Sequence, residues 1–231
     1  MSWIVPRIWE GEDAWIIGGG PSITKQFGIP ENIVRKVRNN EESPSIYSPY
    51  MKAIHDKHII AVNMAYHLGN WVDMMFFGDT GFFTREQEGL LKFAGLKVHC
   101  HPTHRHEPWL KYLVRDVNHP KGLSPTNGMV AWNGNSGAAA INLAVHTGAK
   151  RILLLGFDMK MDEQSNQHWH NEYHRGQITD DKKRRHLPFD RHLAYFPAIA
   201  DDAKKMKIEI INICPDSAIP FFTKANLSEV L

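Results

Sequence analysis

Gly18, Gly19, Gly20, Pro21 and Ser22 stand between an apolar run and a segment of helical pattern. Glycines at such a junction let the backbone approach a phosphate, and the amino end of the helix that follows offers unpaired N–H groups and a favourable dipole. Pro21 suits a first helical turn, because the N–H it lacks would have no partner there. Ser22 adds a hydroxyl donor. The competing reading is a tight turn with no ligand. Asn133-Gly134-Asn135-Ser136-Gly137 repeats the arrangement ahead of the strongest helical segment. Asn135, Ser136 and Gly137 either cap that helix or share a nucleotide with the first turn. Asn63, at the end of another apolar run, can reach a ribose or a base, or else cap the next helix. A dinucleotide fingerprint is not met: the third glycine is missing, and Asn63 stands where an acid would hold the ribose.

Carboxylates and imidazoles follow the same logic. Asp79 and Asp158 each close an apolar run, at the strand ends where open α/β sheets bind ligands, and either could hold a sugar hydroxyl or a metal. A lone loop Asp is often only a turn former. Of the 14 histidines, His168, His170 and His174 fall in one polar stretch. His168 and His170 share a face if it is extended, His170 and His174 if it is helical, and imidazoles so placed suit a divalent transition metal. Surface rings that bind nothing are the alternative. His99, His101, His104 and His106 form a second cluster that matches no closed structural zinc site.

These residues need a frame, and short apolar runs supply one. Residues 14–18, 58–62, 73–77, 96–100, 151–155 and 208–212 read as strands, several apolar on both faces as in a parallel sheet covered by helices. The best helix spans 136–147; Asn135 or Ser136 can cap it, and Gly148 can end it in the left-handed region. The expected fold class is α/β, a Rossmann-like, mostly parallel sheet with helices on both faces and a long lid insertion. Residues 1–231 read as a single nucleotide-binding domain, with the lid at about 159–188. Residues 38–51, with Pro44 and Pro49, read as a surface loop.

Composition excludes several classes. The chain has 231 residues and a formal net charge of +2, so charge does not argue for nucleic acid. Its densest basic stretch, 182–185, reads as a solvated loop. The two cysteines, Cys100 and Cys214, indicate no disulfide framework and a reducing, cytoplasmic setting. Residues 1–10 show no apolar core of signal-peptide length, and no apolar stretch reads as long enough to span a bilayer.

In this order the motifs resemble the Campylobacter-type bacterial sialyltransferases and the related MptE-like proteins, which include a 6-hydroxymethylpterin pyrophosphokinase. The resembling stretches are residues 16–23, 61–63, 134–137 with the alanine-rich helix, 155–158 and 213–217. The resemblance implies a Rossmann-like fold with a lid and a CMP-sugar at the two glycine turns and the asparagine. Gly19, Gly20, Ser22, Asn63, Ser136 and Asp158 fall on those nucleotide positions. A histidine ahead of the last helix is the base in those sialyltransferases, and His192 lies there. His192 also fits a buried helical face with Phe189, Leu193, Phe196, Ile199 and Ala200, which Pro197 would interrupt. The chain departs from the family in having Gly-Gly-Gly for Gly-Asn-Gly and a histidine-rich lid; Tyr173 is its one candidate for the lid tyrosines. The expected function is nucleotide-dependent transfer, with a CMP-sugar or ATP as donor, a hydroxyl acceptor and His192 and Asp158 as catalytic groups. A metal-dependent pyrophosphokinase and a non-catalytic nucleotide-binding module are the alternatives, and an oligomer is compatible with the sequence.

Overall fold

A computed structural model describes residues 2–171 and 188–231. The element order is β1 (Asp13–Ile17), α1 (Ser22–Gln26), α2 (Glu31–Arg38), β2 (His58–Val62), β3 (Met74–Phe77), α3 (Thr80–Lys92), β4 (Leu96–His99), β5 (Lys111–Tyr112), β6 (Val114–Arg115), β7 (Met129–Val130), α4 (Ser136–His146), β8 (Arg151–Leu155), α5 (Phe189–Leu193), α6 (Phe196–Met206), β9 (Glu209–Asn212) and β10 (Thr223–Lys224). Eight strands form one sheet in the order β10-β9-β8-β1-β2-β3-β4-β5, and β6 and β7 form a separate ribbon. Every pairing is parallel. The fold is α/β and Rossmann-like.

Period-two alternation divides the core. Ala14 and Ile16 of β1 face a cluster with Ala138–Ala140 of α4 and Phe196, Ile199 and Ala203 of α6. Trp15 and Ile17 face the other way, onto Ile23 of α1, Val34 and Val37 of α2 and Phe82 of α3. Both faces are therefore covered, which explains why β1, β2, β3 and β8 read as continuous apolar runs. The order in which strands are added reverses about β1, flanked by β8 and β2, so the carboxyl end of β1 is the switch point where such sheets form a crevice.

Three expectations change. Residues 44–54 form a 3-10 stretch that fully buries Tyr47, Met51 and Ile54 rather than a surface loop. The chain needs apolar cover for that face of the sheet, and the two prolines fit the 3-10 turns. Pro197 does not break the last helix; it sits in the first turn of α6, and the interruption falls at Ala194 and Tyr195. The described start of the insertion is anchored rather than purely polar: Trp169 is fully buried, and its indole N–H donates to the Gly18 carbonyl at 3.0 Å. Gly148, with φ +94°, takes the left-handed position after α4 as expected. Among the described residues no helix is long and apolar enough to cross a membrane.

Candidate functional site

The two glycine-rich turns meet at the carboxyl edge of the sheet. They line a cavity of about 360 Å³ with Gly18, Gly19, Asn63, Asp79, Asn135, Ser136, Gly137 and His192 on its wall. The volume is in the range that accepts a small ligand. β1 supplies the first turn, β2 supplies Asn63, β3 leads to Asp79, and α4 points its amino end inward. Trp132, Met159 and Arg191 also line the cavity, and none of these was singled out from sequence. A larger hollow of about 750 Å³ lies between α2 and residues 161–171, with Arg35, Arg38, His168 and His170 on its wall. It touches neither His192 nor the second glycine turn, so the first cavity is the one where the candidate chemistry converges.

The second turn leads into the capped amino end of α4. The Asn135 side chain caps α4, accepting from the Ala138 N–H at 2.8 Å. Asn135 is extended (φ −156°, ψ 153°), as a cap should be, so its side-chain oxygen is taken by the helix. The N–H groups of Ser136 and Gly137, which have no intrahelical partners, are the ones left to face an anion. Arg191 adds the cavity's positive charge, and Asp79, which caps α3 by accepting from the Phe82 N–H at 2.7 Å, adds a negative one.

Asn63 has left-handed backbone (φ 51°), which asparagine tolerates better than most residues. It does not cap the following 3-10 turn. Its Oδ1 is buried with no hydrogen-bond partner among the described residues. A buried acceptor without a partner on a cavity wall is what a ligand donor would satisfy.

The first turn is held differently from the expectation. Asp158 is buried and lies outside the cavity wall. Its Oδ1 accepts from the Ser22 N–H at 3.0 Å and its Oδ2 from the Ser22 hydroxyl at 2.8 Å. Ser22 therefore gives both donors to Asp158 rather than to a ligand. Gly20 is also occupied: its N–H donates to the Gly156 carbonyl at 2.9 Å. A Cβ there would lie 1.9 Å from Asp158 Oδ2, so the glycine makes room for the carboxylate and not for a phosphate. None of Gly18, Gly19 and Gly20 has positive φ; space, not handedness, selects them.

Burial pushes the Asp158 carboxyl above the ordinary aspartate range, and its two bonds from Ser22 pull it partly back. A carboxyl raised by folding favours the fold below its unfolded pKa, and that contribution is lost as pH rises through the folded pKa. Asp158→Asn should therefore be about as stable as the parent at neutral pH, and relatively more stable than at pH 4. Asp158→Ala, which leaves both Ser22 donors without an acceptor, should cost about 1–3 kcal/mol. Urea unfolding at the two pH values checks both; equal stability of all three proteins would rule the clasp out.

His192, on α5, is half-buried and lines the cavity. Burial, reinforced by neighbouring Arg191, lowers its pKa to about 4, so the ring is neutral near neutral pH and can accept a proton. The expected metal site lies only partly among the described residues, which include His168 and His170 but not His174. The His168 and His170 rings stack in parallel at 5.2 Å, and His168 Nδ1 lies 3.3 Å from the Gly19 carbonyl oxygen. His174, Tyr173 and residues 182–185 fall outside the described residues. Among the described residues no three metal-binding side chains converge. In the other cluster, His99 is fully buried and stacked on Phe77, and burial holds its pKa near 3. Both cysteines are buried and free.

The fold is similar to that of the MAf glycosyltransferase from Magnetospirillum magneticum AMB-1, with a TM-score of 0.58 and 12% identity over 100% of this chain. The chain spans only 36% of that protein's length. Weaker likeness extends to the sialyltransferase CstII from Campylobacter jejuni in complex with CMP, at TM-score 0.48 and 12% identity, over 94% of this chain and 86% of that one. The same protein in complex with CMP-3FNeuAc gives TM-score 0.48 and 15% identity, over 93% of this chain and 86% of that one. No family model matches the chain, and no curated protein matches it in sequence.

Proposed function

We propose that the chain transfers a glycosyl group from a nucleotide-sugar donor to a hydroxyl acceptor, in the manner of a sialyltransferase. The observation that carries this reading is one cavity at the switch point that joins the α4 amino end, Asn63 and His192. A fold shared with a protein described as a glycosyltransferase supports the reaction class, and the sequence motifs support a CMP-sugar as donor.

In this reading the donor phosphate lies at the Ser136 and Gly137 N–H groups, with Arg191 offsetting its charge. Asn63 Oδ1 accepts a hydrogen bond from the nucleoside. The acceptor oxygen attacks the anomeric carbon as the bond from that carbon to the phosphate oxygen breaks. His192 takes the acceptor's hydroxyl proton, and the nucleotide leaves carrying the bond's electron pair. Asp158 acts from behind, by holding the first turn in place.

The test is incubation with a simple galactoside acceptor and, in separate reactions, CMP-sugar, UDP-sugars and ATP. Release of CMP with a matching glycosylated product is expected. AMP released from ATP would identify a pyrophosphokinase, and binding without release a non-catalytic module; either result overturns the proposal.

A further inference from the structure

The ribbon of β6 and β7 stands apart from the main sheet, and its ends bring two side chains together. Arg115 closes β6, and Trp132 follows β7 by two residues. The Arg115 guanidinium carbon lies 3.9 Å from the centroid of the Trp132 ring. The same guanidinium donates to the Gly78 carbonyl, just past β3. Gly78 is needed there, because a Cβ would lie 1.9 Å from the indole Cζ3. The indole is thus fixed by a cation on one face and by backbone at its edge, at the β3 end of the cavity.

Among the described residues the cavity has two large aromatic side chains on its wall besides the His192 imidazole, Trp132 and Phe157. Phe157 is 2% exposed and belongs to the core. Trp132 is half-buried, so it alone of the two keeps surface to offer. The rest of the wall is chiefly glycine backbone, amides and charged groups. His192 lies on the helix pair that leads into β9, beyond β8, whereas Trp132 sits by β3. The α4 amino end, with Ser136 and Gly137, shares the cavity wall with both, and α4 packs across β1, β2 and β3.

We infer that Trp132 is the stacking platform for the nucleobase, which sets the ligand's direction: base at the β3 end, phosphate at α4, transferred group toward His192. This rests on the nucleotide reading above. A rigid indole with one face held by a cation suits a planar heteroaromatic ring, because stacking requires no particular hydrogen-bond pattern. Arg115 is a positioning residue: it holds the indole and does not touch the ligand.

Calorimetry with CMP, UMP, AMP and ribose 5-phosphate on the full chain tests this. Trp132→Leu should weaken the tightest of the three nucleotides by about ten-fold or more, the range expected of one stacked base. Ribose 5-phosphate, which has no base, should bind parent and variant alike. Nucleotide is expected to quench tryptophan emission in the parent; Trp132→Phe, which keeps an aromatic face, should retain most of the affinity and abolish that quenching. That second variant decides the matter if Trp132→Leu does not fold. Unchanged nucleotide affinity in Trp132→Leu, an equal loss for ribose 5-phosphate, or quenching that persists in Trp132→Phe would overturn the platform and leave the nucleotide reading standing. A parent that binds none of the three nucleotides would overturn both.

Discussion

His192→Ala is expected to lower turnover by about 10²–10⁴-fold, the span typical of a lost general base, while nucleotide affinity stays within about two-fold. The separation follows from place. His192 shares the cavity wall with the α4 amino end but is not part of it; in the proposed reading the α4 amino end and Arg191 hold the phosphate without it. The pH profile adds a sharper test. Burial and Arg191 lower the His192 pKa to about 4, so the ring becomes charged, and useless as a base, only below that. The acid limb of kcat/KM should therefore fall near pH 4, not near the ordinary histidine value of about 6.5. The same depression makes the neutral ring the form the fold favours. Its contribution to stability is present above about pH 6.5 and is lost as pH falls toward 4. Single-turnover product release, measured beside the nucleotide dissociation constant across pH, decides the assignment. Normal turnover in a folded His192→Ala would reject it.

Gly20→Val is expected to prevent folding rather than merely block a ligand. Even the first carbon of the side chain would sit 1.9 Å from Asp158 Oδ2 and 2.6 Å from the Gly156 carbonyl oxygen. One neighbour is backbone and the other a buried carboxylate tied to Ser22, so neither yields cheaply. A displaced, buried, partnered carboxylate together with overpacking places the cost of Gly20→Ala at roughly 3–5 kcal/mol, with Gly20→Val beyond it. Soluble yield and thermal unfolding by circular dichroism are the measurements. A Gly20→Val protein with the parent's unfolding midpoint would contradict this account of the turn.

Much of the frame is legible in the residues. Runs such as 151–155 are apolar on both faces, and that pattern has few meanings besides a covered parallel strand. Two-residue edge strands such as β5 and β10 carry no period to detect. The 44–54 stretch misleads because prolines and serines signal a loop, while its buried residues, Pro44 with Tyr47 and Met51 with Ile54, pair at the three-residue spacing of 3-10 turns. The glycine turns and Asn63 can be found because each stands at the end of an element, where ligand chemistry concentrates, whereas His192 is found only through the family resemblance. The roles of Ser22, Gly20 and Asp158 are not readable, because their meaning is a contact across well over a hundred residues of chain. Trp132 escapes notice for a related reason. It is one aromatic residue before a glycine turn, and nothing near it in sequence announces Arg115 or Gly78.

The Asp158–Ser22 clasp and the Gly20–Gly156 bond also bear on time. They fix the first turn before any ligand arrives, so no segment there has to order during encounter. A mixing experiment should then show that loosening the turn, by Asp158→Ala, adds a plateau to the observed rate at high nucleotide concentration that the parent's turn does not impose. Nucleotides that differ in affinity would differ mainly in how long they stay bound, and the half-life of the complex, rather than the speed of its formation, would become the quantity that discriminates among donors.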